Sequence, residues 1–330
     1  MELPLWFWVV IILGIDVSHV WSTIFRTYLD KEEFSNHRKL LTLTPLVCFA
    51  LLFGIASVSS FWFWRILAYL ALFHFIKQQY GFMKIYQMKN RNSQMGKYFK
   101  DSHVIYFSML YPVFYWHINS NRGFNWFVDG DFFAIGELIN NWVLVVPTLN
   151  LIGNTLYWLV LIGWLTEQFL INKKNDFPWA KALWVITTGV NWYLGIVYFN
   201  SDIAFTLTNV VAHGIPYMAL VFFYVEKKKV ITGNEERKKA NNGLINIAFM
   251  FIIVLLLALG EEYFWDMFLY REKTAFFEAW SSYPLPVLKS PWVQAAALAL
   301  LSLPQVSHYV IDGFIWKNSP RNPYLRKVLS

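Results

Sequence analysis

Residues 301–318, LSLPQVSHYVIDGFIWKN, decide how this chain is read. The segment is apolar enough for a membrane helix, yet His308 and Asp312 sit one helical turn apart inside it. Ionisable side chains cost several kcal/mol at bilayer depth, so such a pair is a functional hypothesis by default. The next question is which other groups stand at the same level. Three more segments carry the same anomaly: IDVSHVW with Asp16 and His19, LFHFIKQQYG with His74, and TNVVAHGIPY with Asn209 and His213.

The composition supports the membrane reading. Of 330 residues, 57% are hydrophobic, 20% aromatic and 15% charged. The apolar runs are too long for soluble strands or core helices. The opening MELPLWFWVVIILG has no basic start and runs into Asp16 and His19 with no small-residue cleavage site, so it reads as a retained helix. The one cysteine, Cys48, excludes an internal disulfide and a cysteine-based metal cluster. The net charge of +7 is carried by short loops beside apolar runs, which fits topology better than a nucleic-acid partner.

Apolar runs of about 17 to 25 residues fall at Pro4 to Tyr28, Leu40 to Val58, Phe61 to Tyr86, Ser102 to His117, Ile152 to Ile171, Ala182 to Phe199, Ile203 to Tyr224, Leu244 to Trp265 and Trp292 to Trp316. The expected fold is therefore all-α, a polytopic integral membrane helical bundle of about nine transmembrane helices in one multi-span domain over residues 1–330. Residues 131–147 are interrupted by Glu137, Asn140 and Asn141 and are expected as an interfacial or re-entrant helix. Residues 226–242 are expected as a polar cytoplasmic linker. Lysine and arginine crowd alternate connections, after the first, third, fifth, seventh and last runs, with Arg26, Lys181 and Lys228 among them. That asymmetry predicts an outside N-terminus and a cytoplasmic C-terminus. The expected location is a membrane, crossed many times, the bacterial inner membrane.

Each anomalous helix carries a polar stripe at helical spacing: Asp16, His19 and Thr23; His74, Lys77, Gln78 and Gly81; Thr206, Asn209, His213 and Tyr217; Gln305, His308 and Asp312. Lipid cannot satisfy such a stripe, so it must face protein or a cavity. At about 1.5 Å per residue, His213 lies roughly 15 Å from the outer surface and His19, His74 and His308 about 20 to 24 Å from it. The four share one layer, from the midplane to the cytoplasmic half. A single histidine in such a helix is as well explained by packing and hydrogen bonding. Four at one depth point to a shared metal. Asp16, Asp312 and Asn209 stand where a supporting partner or general base would act, or where a carboxylate would bind the metal directly. His37, His103 and His117 fall outside the layer. Lys77 is expected to snorkel away, Glu261 and Glu262 to lie at the interface, and the Asp129–Gly130–Asp131 sequence to form a turn.

Imidazole ligands suit iron, zinc and copper. Three histidines with an open position suit a zinc hydrolase, whereas four suit ferrous iron that still binds dioxygen. No HxxHH box, CxxCH haem attachment or glycine-rich phosphate loop is present in the sequence. A bis-histidine haem stays open.

The order and context of DVSHVW, HFIKQQYGF, VVAHGIPY and LPQVSHYVIDGFIW resemble the Brp/Blh family of membrane carotenoid-cleaving dioxygenases, which convert β-carotene to retinal with a histidine-bound iron. The resemblance implies that His19, His74, His213 and His308 are metal ligands and Asp312 a supporting carboxylate. It covers these four short stretches. The family's paired histidines are reduced here to His213, with Asn209 or Tyr217 at the other position, and one extra residue separates Pro304 from His308. The leading expectation is a membrane non-haem iron oxygenase. Its partners would be a hydrophobic lipid or carotenoid-like substrate, dioxygen and membrane lipids, with no nucleic acid. Two other classes stay open. One is a zinc-dependent intramembrane lipid hydrolase with Asp16 or Asp312 as general base. The other is a proton-coupled carrier built on a His/Asp relay.

Overall fold

The computed structural model describes residues 4–89, 96–119, 125–135, 142–172, 176–233, 243–278 and 288–329. Helices account for every regular element among these residues. In chain order they are α1 (Leu5–Arg26), α2 (Lys31–Asn36), α3 (Arg38–Val58), α4 (Ser60–Lys89), α5 (Asp101–Ile118), α6 (Trp142–Ile171), α7 (179–198) and α8 (202–231). There follow α9 (Gly243–Tyr270), α10 (Thr274–Glu278), α11 (Pro291–Leu301), α12 (Leu303–Ile315) and α13 (Leu325–Leu329).

Every apolar run seen in the sequence is helical. Five helices are long and apolar enough to cross a membrane: Leu5–Arg26, Arg38–Val58, Val145–Ile171, Ile203–Ile231 and Gly243–Tyr270. The last run is not one straight helix. Pro291–Leu301 and Leu303–Ile315 meet at a bend of 41°, where Pro304 in the first turn of α12 lacks an amide hydrogen to continue the ladder. Helices α4, α5 and α7 occupy the remaining runs without reaching the same apolarity. They carry Arg65, Lys77 and Lys84, Asp101, and Lys181. The molecule is a membrane protein by this composition.

Of the segment 131–147, expected as an interfacial or re-entrant helix, the structure describes residues 131–135 and 142–147. Residues 131–135 follow a turn and are largely irregular, and Phe132 is 1% exposed and packs on Trp116 and Tyr69 at ring distances of 4.2 and 4.7 Å. Residues 136–141 lie outside the described residues, and from Trp142 the chain is already α6. The break in hydropathy at Glu137 to Asn141 precedes a long helix. The linker expected at 226–242 also begins later, because α8 runs to Ile231 and turns at Gly233 with φ +69°; residues 234–242 are outside the described residues.

The chain forms two compact units, residues 1–67 with 214–329 and residues 68–213. In the first, α11 and α12 pack along α3, and α9 and α12 pack on α1. Its interior holds Tyr217, Met218, Val221, Phe222, Met250 and Val254, with Ile15, Trp21 and Phe25 against them. In the second, α5 packs on α6 and α7 around Trp116, Tyr157, Trp164 and Trp192. Tyr157 is fully buried, with its hydroxyl 2.9 Å from the Ser108 carbonyl and 2.8 Å from that of Gly189.

Three basic residues read as loop charges are interior. Arg26 is the last residue of α1 and 0% exposed. Its guanidinium lies 3.6 Å from the Tyr224 ring and 3.9 Å from that of Trp316, and it donates to the Ile315 carbonyl at the end of α12. Lys181 is 1% exposed and pairs with Asp101 at 2.8 Å. Lys228 pairs with Asp30 at 2.8 Å and Glu33 at 3.1 Å, and Glu33 also accepts the Tyr224 hydroxyl at 2.8 Å. A buried cation survives only with such partners.

Candidate metal centre

Within the first unit, α1 and α12 bring His19 and His308 together. Their ring centroids are 5.2 Å apart, the planes at 77°, and both side chains are 2% exposed. His308 Nδ1 lies 2.7 Å from the Thr23 hydroxyl. Thr23 lies 2.9 Å from the Tyr217 hydroxyl, which donates to Asp312 Oδ1 at 2.5 Å. Asp312 Oδ1 is 3.6 Å from His308 Nδ1, and Asp16 Oδ1 is 3.8 Å from His19 Nδ1. Both separations exceed hydrogen-bond reach. His308 therefore has a threonine from another helix as a hydrogen-bond partner, while the aspartate one turn along its own helix stands out of reach. Asp16 is half-buried, with 35% of its side chain exposed.

Within the second unit, α4 and α8 bring His74 and His213 together, with ring centroids 5.1 Å apart and planes at 78°. Phe75 stacks face to face on His213 at 3.7 Å and 3°, which fixes the plane of that imidazole. Gln78 donates its amide to the His213 carbonyl at 2.8 Å. Asn209 is 2% exposed, and its Nδ2 lies 2.9 Å from Thr208 Oγ1 and 3.5 Å from the Asn191 carbonyl. Gly195 on α7 leaves room for these two side chains, since a Cβ there would meet both Thr208 and Asn209. Lys77, expected to turn away from the histidine, is exposed and donates to the Tyr106 hydroxyl at 3.1 Å.

Two of the histidine-bearing helices are locally widened just upstream of the histidine. The run Trp8–Val17 is π-helical and ends two residues before His19, and Thr206–Val210 is π-helical and ends three before His213. Such wide turns are rare and frequently found at functional sites. The Ser18 hydroxyl steadies the first by donating to the Leu13 carbonyl at 2.8 Å.

The histidines that depth excluded look different. His117 uses Nε2 toward the Tyr69 hydroxyl and Nδ1 toward the Val113 carbonyl, both at 2.7 Å. His37 Nε2 meets Asn322 Oδ1 at 2.8 Å. These are packing histidines. The Asp129–Asp131 segment is a turn, as expected, with Gly130 at φ +73°. Asp131 accepts the amides of Trp126, Phe127 and Val128 at 2.9, 2.6 and 3.3 Å, yet burial still pushes its carboxyl above the usual range. Glu261, read as interfacial, accepts the Trp21 indole N–H at 2.7 Å, two residues from His19 in sequence.

The donor geometry can be tested against a metal one pair at a time. An imidazole nitrogen binds at about 2.0–2.1 Å, which puts the ring centroid roughly 3.2 Å from the ion. Two such rings around one ion at a tetrahedral angle have centroids about 5.2 Å apart. The separations of 5.2 and 5.1 Å meet that condition within each pair. Both pairs offer imidazole donors, which suit iron or zinc. Searches against family models, curated proteins and solved structures find no match to this chain. The class rests on the chain itself: an all-helical membrane protein with two buried histidine pairs on apolar helices.

Proposed function

We propose that this protein is a multi-pass integral-membrane non-haem iron oxygenase acting on a hydrophobic lipid or carotenoid-like substrate, related to the Brp/Blh family. The observation that carries the reading is the pairing of His19 with His308 and of His74 with His213, all buried, at ring separations suited to metal coordination. The common depth of the four histidines in the sequence is the ground for assigning them to one ion. Nine crossings, with the N-terminus outside and the C-terminus cytoplasmic, complete the proposal and follow from the apolar runs and the loop charges.

Ferrous iron at these histidines would supply dioxygen activation. The chain's own residues would do the rest. Neutral imidazoles offer nitrogen lone pairs in an interior that water hardly reaches. Thr23 and Phe75 hold His308 and His213 in orientation. Aromatic and aliphatic side chains on the same helices would take up a polyene or acyl chain and orient it against the site. Asp16, half-buried 3.8 Å from His19, favours one rival: a zinc hydrolase in which this carboxylate accepts a proton from water.

Metal content separates these readings. Protein purified without oxygen in mild detergent is expected to hold about one iron per chain, lost when His19, His74, His213 or His308 is replaced by alanine. Zinc at the same stoichiometry selects the hydrolase. No metal in the folded parent refutes both. Two ions per chain, one lost with each histidine pair, would refute the single-ion assignment.

A further inference from the structure

Hydroxyl groups on α1 and at the residue that caps it behave in two ways. Ser18, Ser22 and Thr27 bond to backbone carbonyls of their own segment, at Leu13, His19 and Thr23. Thr23 instead turns its hydroxyl across to α8 and α12. It lies 2.9 Å from the Tyr217 hydroxyl and 2.7 Å from His308 Nδ1, and Tyr217 reaches Asp312 Oδ1 at 2.5 Å. Thr23, Tyr217 and His308 are 4%, 1% and 2% exposed, so no bulk water competes for these bonds.

The chain Asp312–Tyr217–Thr23–His308 has a direction. With Asp312 ionised, Tyr217 gives its one proton to that carboxylate. Its oxygen can then only accept at the Thr23 contact, so the single Thr23 proton points to Tyr217. Only lone pairs of Thr23 remain for His308, and the imidazole must bring the proton. We infer that His308 is held as the Nδ1–H tautomer, with Thr23 and Tyr217 as its positioning residues and Nε2 as its basic nitrogen. Asp312 sets the direction from the far end of the chain. It is not a direct partner of the ring: 3.6 Å separates them, and the oxygen concerned already accepts from Tyr217. The use of Nε2 by a metal rests on the proposed function, whereas the tautomer is a property of the metal-free chain.

The test is nitrogen-15 NMR of the metal-free full chain, labelled at histidine, in detergent micelles. The His308 signals are identified as those lost in His308→Asn. The expected result is a neutral ring protonated at Nδ1. In Tyr217→Phe the Thr23 proton is released to point at the ring, and the signals should move to the Nε2–H form. In Thr23→Val they should also leave the pure Nδ1–H form, and in Thr23→Ser they should keep it. An Nε2–H ring in the parent overturns the inference, and so does an unchanged Nδ1–H ring in both Tyr217→Phe and Thr23→Val. The parent measurement needs no variant to fold. Iron titration gives a second readout: Thr23→Val should weaken binding about 10- to 100-fold, as loss of a ligand's supporting bond does, with Thr23→Ser near the parent. A parent that binds no iron yet shows Nδ1–H at His308 sinks the oxygenase reading and supports the tautomer. Tight iron binding with Nε2–H does the reverse.

Discussion

Replacing Lys181 with methionine tests how the second unit tolerates its interior ion pair. Lys181 Nζ and Asp101 Oδ2 are 2.8 Å apart, with the side chains 1% and 4% exposed. Removing one member of such a pair costs about 3–5 kcal/mol, because the other charge stays behind in low dielectric. Here Asp101 keeps the Trp164 indole on Oδ1 at 2.9 Å, and Oδ2 keeps Gln87 at 3.3 Å. The retained indole places Lys181→Met near the lower end, about 3 kcal/mol. Asp101→Asn leaves the ammonium with Gln168 Oε1 at 3.0 Å and should cost a similar amount. The double variant carries neither charge and should lie within about 1 kcal/mol of the parent, since a neutral replacement removes the desolvation cost as well. At roughly 2 °C per kcal/mol, thermal unfolding of the full chain in detergent should show single variants about 6 °C low and the double within about 2 °C. A double variant as damaged as the sum of the singles would refute the coupling, as would single variants indistinguishable from the parent.

Two further outcomes follow from the first unit and from the proposed centre. Arg26→Met removes a guanidinium held over Tyr224 and Trp316 and a donor to the last turn of α12, so unfolding in the same assay should come about 2 kcal/mol earlier. A change below about 0.5 kcal/mol would show that this cation does not fasten α1 to α12. Ferrous iron added to metal-stripped protein at about 100 times its dissociation constant should stabilise the fold by about 2.7 kcal/mol, and the gain should vanish in His308→Ala. Equal gains in the parent and in that variant would remove His308 from the ligand set.

Hydropathy located the helices because it reads an average over many residues, and that average survives local detail. The bend before α12 was in principle visible in Pro304, but one proline in an apolar run does not say whether the helix kinks or continues. The wide turns at Trp8–Val17 and Thr206–Val210 were not legible, because one extra residue per turn leaves a hydropathy window unchanged. They do break any stripe drawn at 3.6 residues per turn. Spacing aligns Asn209 with His213 and Tyr217, yet its amide nitrogen is aimed at Thr208 and the Asn191 carbonyl. Arg26, Lys181 and Lys228 look like loop charges in the sequence because each closes or flanks an apolar run. Their ring and carboxylate partners lie far along the chain, Trp316 for Arg26, Asp101 for Lys181 and Asp30 for Lys228. Only the fold brings them together. The histidines, by contrast, were legible one by one, since an imidazole in an apolar helix is conspicuous wherever it packs.

The energy of the polar chain from Asp312 to His308 argues about its purpose. An aspartate costs about 2.5–3.5 kcal/mol to insert at the centre of an apolar helix and less toward its end, where Asp312 stands in α12. Hydrogen bonds between helices in a membrane return on average about 0.6 kcal/mol each. The chain has three links, at 2.5, 2.9 and 2.7 Å, so they return about 2 kcal/mol together. Against that stand the insertion cost of Asp312 and the burial costs of Thr23, Tyr217 and His308. Apolar residues of similar size would hold α1, α8 and α12 together at least as well. Stability therefore does not account for the arrangement. What the four residues accomplish, and leucine or phenylalanine would not, is to fix the proton on one nitrogen of a buried imidazole and leave the lone pair on the other. A fixed lone pair is of use to a metal or to a proton donor. A packing histidine such as His117, with both nitrogens already engaged by Tyr69 and Val113, offers none.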